Sequence, residues 1–135
     1  MQFTQQLKPG LTGTAELVVA EAHTAPSIGS GKVHVLGTPV MINLIEAAAL
    51  AAAEQLLPVG YQSLGTHLDV RHIAATPVGM RVRARAELVA VDGRTLTFRV
   101  EARDERDLIG DGTHQRVVVN VAKFDQRVQA KLAGG

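Results

Sequence analysis

The sequence predicts an α+β domain in two layers, one long apolar helix laid against a curved antiparallel sheet. Three observations carry this. Residues 37–58, GTPVMINLIEAAALAAAEQLLP, are apolar on every face, and Glu46 at their middle is the only charge between Lys32 and Glu54. Residues 80–103 alternate with period two around Asp92-Gly93, a hairpin turn dipeptide. Strand-like stretches flank these segments, joined mostly by short turns, with no internal repeat or linker. At 135 residues the chain reads as one domain over 1–135, able to bury roughly two-thirds of its unfolded surface.

Taken in order, residues 1–11 form a lead-in broken at Pro9-Gly10, and residues 12–20, TGTAELVVA, a first strand. Residues 21–37 contain Pro26, Gly29, Gly31 and Gly37 and read as a long connection with a short extended piece at 32–36. Connections of that length are often lids or binding loops. The helix opens at Gly37-Thr38-Pro39, where the Thr38 hydroxyl caps and Pro39 takes the first helical position, and it stops at Pro58. Its ~27 Å length approaches a bilayer span. A central carboxylate and the strand sequence directly after it point instead to a helix wrapped by sheet. Val59-Gly60 turns into a second strand over 62–74, and residues 76–79 form a turn. Strands follow over 80–90, 95–103 and 109–122, and the tail from 123 holds a short helix and a frayed Gly-Gly. Such a sheet leaves its edges open, so a homodimer paired edge to edge is expected.

Composition narrows the function. A net charge of +1, with three Phe, one Tyr and no Trp, gives neither a basic field nor a stacking platform for nucleic acid. No cysteine is present, which excludes disulfides, thiolate metal sites and a cysteine nucleophile. The first residues show no basic-then-apolar leader, so no membrane role is expected and the cytoplasm is the default.

A carboxylate in an apolar helix must be paired, protonated or in use, and Glu46 is therefore the first candidate. Alternation places Thr66, Leu68, Val70 and His72 on one face of the second strand, and His67, Asp69, Arg71 and Ile73 on the other. Leu68 and Val70 mark the first face as the core face, aiming His72 at the helix that carries Glu46. Alone, such a histidine is more often a satisfied core residue. With a carboxylate and a Thr hydroxyl it supplies the parts of an activated nucleophile. Other patterns are weak. His67 and His72 face opposite ways, and His23, His34 and His114 lack ligand spacing, so no metal site is expected. Asp69 and Asp111 read as turn or surface residues. Gly29-Ser30-Gly31 lacks the strand-then-helix setting of a phosphate loop. Arg81, Arg83 and Arg85 read as a solvated face balanced by Glu87 and Glu101.

Three blocks, GTPVMINLIE (37–46), SLGTHLDVRHIAATPVGMRV (63–82) and IGDGTHQRVVVNVAKF (109–124), resemble the hot-dog-fold acyl-CoA thioesterases, in particular the fluoroacetyl-CoA thioesterase branch. H-x-A-A-T-P-x-G and G-x-G-T-H-x-R are the most specific motifs, and the similarity runs from about residue 30 to the end. The resemblance implies a hot-dog fold and hydrolysis of a short acyl-CoA to free acid and CoA. No cofactor is implied, because CoA is part of the substrate. By motif position it implies Thr38, Glu46 and His72 as catalytic residues, and Gly65 and Arg116 as substrate-binding ones. It further implies a thioester carbonyl near the helix N-terminus, where free amides and the dipole favour developing negative charge. The fluoroacetyl enzymes place Phe side chains over their pocket from the segment before the helix. This chain has no Phe between Ala20 and Tyr61, and Gly29 and Lys32 stand in that region, so no fluorine-selective aromatic gate is expected. Thr38 and Glu46 lie eight residues apart, ~12 Å along a regular helix, so either the helix starts later or the two meet across a dimer interface. A non-catalytic acyl-CoA-binding hot-dog module is the alternative reading. A hot-dog hydratase is the weakest, since such enzymes generally use an Asp-x4-His pair and no Asp here precedes a His at that spacing.

Overall fold

The computed structural model describes residues 6–134. The expectations for residues 1–5, including the absence of a leader, lie outside them. Strand β1 (Thr12–Val18) is followed by a 3-10 turn at Glu21–His23, the single-turn helix α1 (Ala25–Ile28) and the long helix α2 (Thr38–Ala53). Strands β2 (Tyr61–His72), β3 (Arg81–Asp92), β4 (Thr95–Arg103) and β5 (Leu108–Asn120) come next, and helix α3 (Val121–Leu132) closes the chain. The strands form one antiparallel sheet in the order β1-β3-β4-β5-β2. Helix α2 packs across β1, β3 and β4. This is the hot-dog arrangement, with β1 and β2 as the open edges.

The core follows from the two periodicities. Met41, Ile45 and Ala48 are fully covered on one side of α2, and Val82, Ala84, Ala86 and Leu88 on one side of β3. Phe98 and Val100 of β4 join them in one apolar cluster. Each large buried side chain stabilises the fold by roughly 1.5–3 kcal/mol. Strand β1 crosses α2 at very short range. A Cβ at Gly13 would run into the backbone of Ala48, Ala51 and Ala52, so glycine sets the spacing between strand and helix. The outer face of β3 carries Arg81, Arg83 and Arg85 in solvent, paired with Glu16 (3.2 and 3.6 Å) and Glu87 (3.8 Å). Glu101 pairs instead with Arg103, at 2.7 Å.

Several expectations are corrected. The helix cap is Gly37, and Thr38 is the first helical residue with its hydroxyl turned elsewhere. The α-helix ends at Ala53 and relaxes into a 3-10 turn at Glu54–Leu56 before Pro58 stops it. Residues 32–35 form no strand, and only Leu36 makes a single bridge, to Thr24. Strand β5 stops at Asn120, whose side chain accepts a hydrogen bond from the Lys123 amide and starts a twelve-residue α3, longer than the short helix expected. Strand β2 bulges: Gly65 faces Arg116 and His67 faces Gln115, which leaves Thr66 out of register. Leu68, expected inside, is 42 % exposed, because it lies on the edge strand β2, which α2 meets only through side chains near Gly65 and His72. One side of α2 is likewise uncovered, with Asn43 and Ala51 exposed and Ile42, Ala47 and Leu50 half-buried.

Candidate active site

At the N-terminus of α2, Thr38 is the first helical residue and is exposed. Its Oγ1 lies 2.7 Å from His72 Nδ1, at the end of β2. Pro39 brings no amide, and the Thr38 amide donates no hydrogen bond within the described residues. A free donor on the helix axis therefore sits beside a hydroxyl and an imidazole. Burial pushes the His72 ring below its usual 6.5, against a smaller opposing effect of the Ala74 backbone. His72 is thus neutral at pH 7 and able to accept a proton at Nδ1. Its Nε2 is covered and finds no partner in hydrogen-bonding geometry among the described residues.

A cavity of about 380 Å³ opens onto this pair. Its walls come from the connection before α2, including Ser30, Gly31, Lys32 and Leu36, and from Ile73 and Ala74 after β2. No Phe, Tyr or Trp lines it, in keeping with the lack of Phe in that connection.

Glu46 belongs to a second cluster. Its Oε2 accepts from Arg116 Nη1 at 3.0 Å and lies 3.7 Å from His114 Nε2, while Oε1 has no hydrogen-bond partner among the described residues. Arg116 is 6 % exposed. It also donates from Nε to Ser63 Oγ (2.7 Å), from Nη2 to the Ser63 carbonyl (3.1 Å) and from Nη1 toward His114 Nε2 (3.1 Å). Ser63 passes the chain of bonds to Glu54, with its hydroxyl on Oε1 (2.5 Å) and its amide on Oε2 (2.7 Å). The wholly buried His114 shows its tautomer through its partners: Nδ1–H donates to the His67 carbonyl at 2.9 Å, leaving Nε2 to accept from Arg116. Burial lowers its pKa, and the Arg116 charge lowers it further. Gly65 completes the cluster by omission, since a Cβ there would strike Glu46 Oε2.

The chain therefore brings Thr38 and His72 together, and separately Glu46, Gly65 and Arg116. No hydrogen bond or ion pair joins Glu46 to His72. Gly65 and His72 stand seven residues apart on β2, about 23 Å at 3.3 Å per residue. Helix α2 runs regularly from Thr38, so a later helix start does not bridge the gap. His114, Ser63 and Glu54 were not singled out from the sequence. For His114 a signal existed: it alternates with Arg116 and Val118 on the inward face of β5. Among the described residues no group of His, Asp and Glu is arranged to hold a metal.

The model of the family described as fluoroacetyl-CoA-specific thioesterase matches residues 19–122. A curated fluoroacetyl-CoA thioesterase from Streptantibioticus cattleyicolor is 45% identical over 101 residues, covering 75% of this chain and 73% of the relative. A solved fluoroacetyl-CoA thioesterase superposes with a TM-score of 0.87 at 38% identity, covering 92% of this chain and 96% of the other. A thioesterase superfamily member from Thermus thermophilus also gives 0.87, at 29% identity over 97% of this chain and 99% of its own.

Proposed function

As a member of the fluoroacetyl-CoA-specific thioesterase family the chain hydrolyses acyl-CoA thioesters, and we propose that it releases short acyl groups in a site shared by two subunits. The observation that carries the reading is the 2.7 Å contact between Thr38 Oγ1 and His72 Nδ1 at the mouth of a cavity. Thr38 Oγ attacks the thioester carbonyl carbon as its proton passes to Nδ1, and the oxyanion forms beside the free amide at the start of α2. The C–S bond breaks and CoA leaves with the proton from His72. A water then loses a proton to a carboxylate and attacks the Thr38 ester; the C–Oγ bond breaks, the acid leaves, and the proton returns from the carboxylate to Thr38 Oγ, restoring the hydroxyl.

The carboxylate is the partner's Glu46. Its Oε1 is free, whereas Arg116 holds Oε2, and within one chain it cannot reach His72. Strand β2 is an unpaired edge with Leu64 and Leu68 exposed. An antiparallel pairing of two β2 edges centred near Leu68 and Asp69 sets the partner's Gly65, and with it the partner's Glu46 and Arg116, beside His72. With no Phe, Tyr or Trp in the wall, fluoroacetyl-CoA gains no advantage over acetyl-CoA beyond its faster uncatalysed hydrolysis.

The test is a covalent trap. Glu46→Gln, incubated with acetyl-CoA, is expected to release one CoA per site and to accumulate a Thr38 acetyl ester visible by mass spectrometry. Absence of that ester in a variant that still binds acetyl-CoA overturns the covalent route.

A further inference from the structure

Lys32 is the one fixed charge on the wall of the cavity that opens onto Thr38 and His72. It takes part in no ion pair or hydrogen bond within the described residues, although the neighbouring His34 does, bonding Glu21 at 2.7 Å. The remaining wall is small or aliphatic apart from Ser30, Thr38 and His72. Gly29, at φ 77°, and Gly31 both precede Lys32, which lies in a run of bends before α2. At about 380 Å³ the space exceeds what a two-carbon acyl group of three heavy atoms fills, roughly 90 Å³ at ~30 Å³ each. An unpaired ammonium in the wall of a roomy cavity that the reacting hydroxyl also lines favours negative charge at the far end of the acyl group.

We propose that Lys32 makes this site a receptor for acyl-CoA esters whose acyl chain ends in a carboxylate, the monothioesters of short dicarboxylic acids. The proposal rests on the thioesterase reading for its substrate frame, but it concerns recognition and can be judged without turnover. The same ammonium would also suit a phosphate of the coenzyme, so the experiment separates the two sources.

Calorimetry with two stable thioethers, S-(2-carboxyethyl)-CoA and S-ethyl-CoA, measures recognition of the carboxylate, and the same pair built on pantetheine removes every phosphate. The ratio of affinities, carboxyethyl over ethyl, is expected to fall at least about fivefold in Lys32→Ala on both carriers, and further in Lys32→Glu. Lys123→Ala, far along the chain at α3, serves as the control with an unchanged ratio. Equal weakening of both CoA thioethers with no effect on the pantetheine pair assigns Lys32 to a phosphate and overturns the proposal. An unchanged ratio on both carriers overturns it as well. CoA release from acetyl-CoA is followed separately, so loss of the thioesterase reading is not mistaken for loss of this one.

Discussion

Two histidines in this chain are kept neutral by burial and put to different uses. His72 turns one nitrogen to Thr38, where the proposed mechanism uses a neutral ring as base. His72→Ala should therefore lower kcat at least ~100-fold, the low end of general-base effects, while circular dichroism stays native. His67→Ala should change kcat little, because its exposed ring is unused and only its carbonyl serves His114. The reverse outcome would unseat the assigned site. His114 is a structural group, and its depressed pKa carries a sign for stability. The unfolded ring takes up a proton near 6.5 and the folded ring only at lower pH. The unfolded state thus binds more protons in between, and the contribution is present above about 6.5 and lost as pH falls below it. His72 acts in the same direction. Urea midpoints should drop between pH 7.5 and 5.5, less so in His114→Asn. A midpoint that is flat in the parent protein would contradict this.

At the scale of elements, two glycines separate fold from chemistry. A methyl at Gly13 meets the α2 backbone, which cannot yield, so Gly13→Ala should destabilise by about 1–3 kcal/mol in denaturant titrations. A methyl at Gly65 meets the tip of Glu46, a side chain that can swing away. Gly65→Ala should then cost activity by tenfold or more with little change in midpoint, and equal losses of stability in the two variants would count against the distinction. The elements were largely legible in the residues. Period two in β3 and β4 and the Asp92-Gly93 turn came through because each strand has one wet and one dry face. The bulge at Thr66 did not, since no Gly-Pro or Asn-Gly signal marks it and parity counting assumes a regular ladder. The exposure of Leu68 was hidden for another reason: alternation names a face but not whether a helix covers it. Thr38 and His72 could be paired from local pattern and resemblance. That Arg116 holds Glu46 depends on β5 lying next to β2, a matter of sheet order.

For the whole molecule, the proposed site shared by two subunits makes assembly part of the chemistry. His72→Ala and Glu46→Gln should each be nearly inactive alone. Unfolded together and refolded as a mixture, they should recover roughly a quarter of parental activity, because half the dimers are mixed and each of these holds one intact site. No recovery above the single variants, with mixed dimers confirmed by mass spectrometry, would place the full site in one chain. The uncovered edge of β2 has a further consequence for the cell. On this reading a newly made chain is a silent half, and below its dissociation constant, output rises with the square of the amount synthesised rather than in proportion to it. Low-level expression would leave CoA esters untouched, and a modest increase in synthesis would switch hydrolysis on steeply, with no regulator beyond the protein's own abundance.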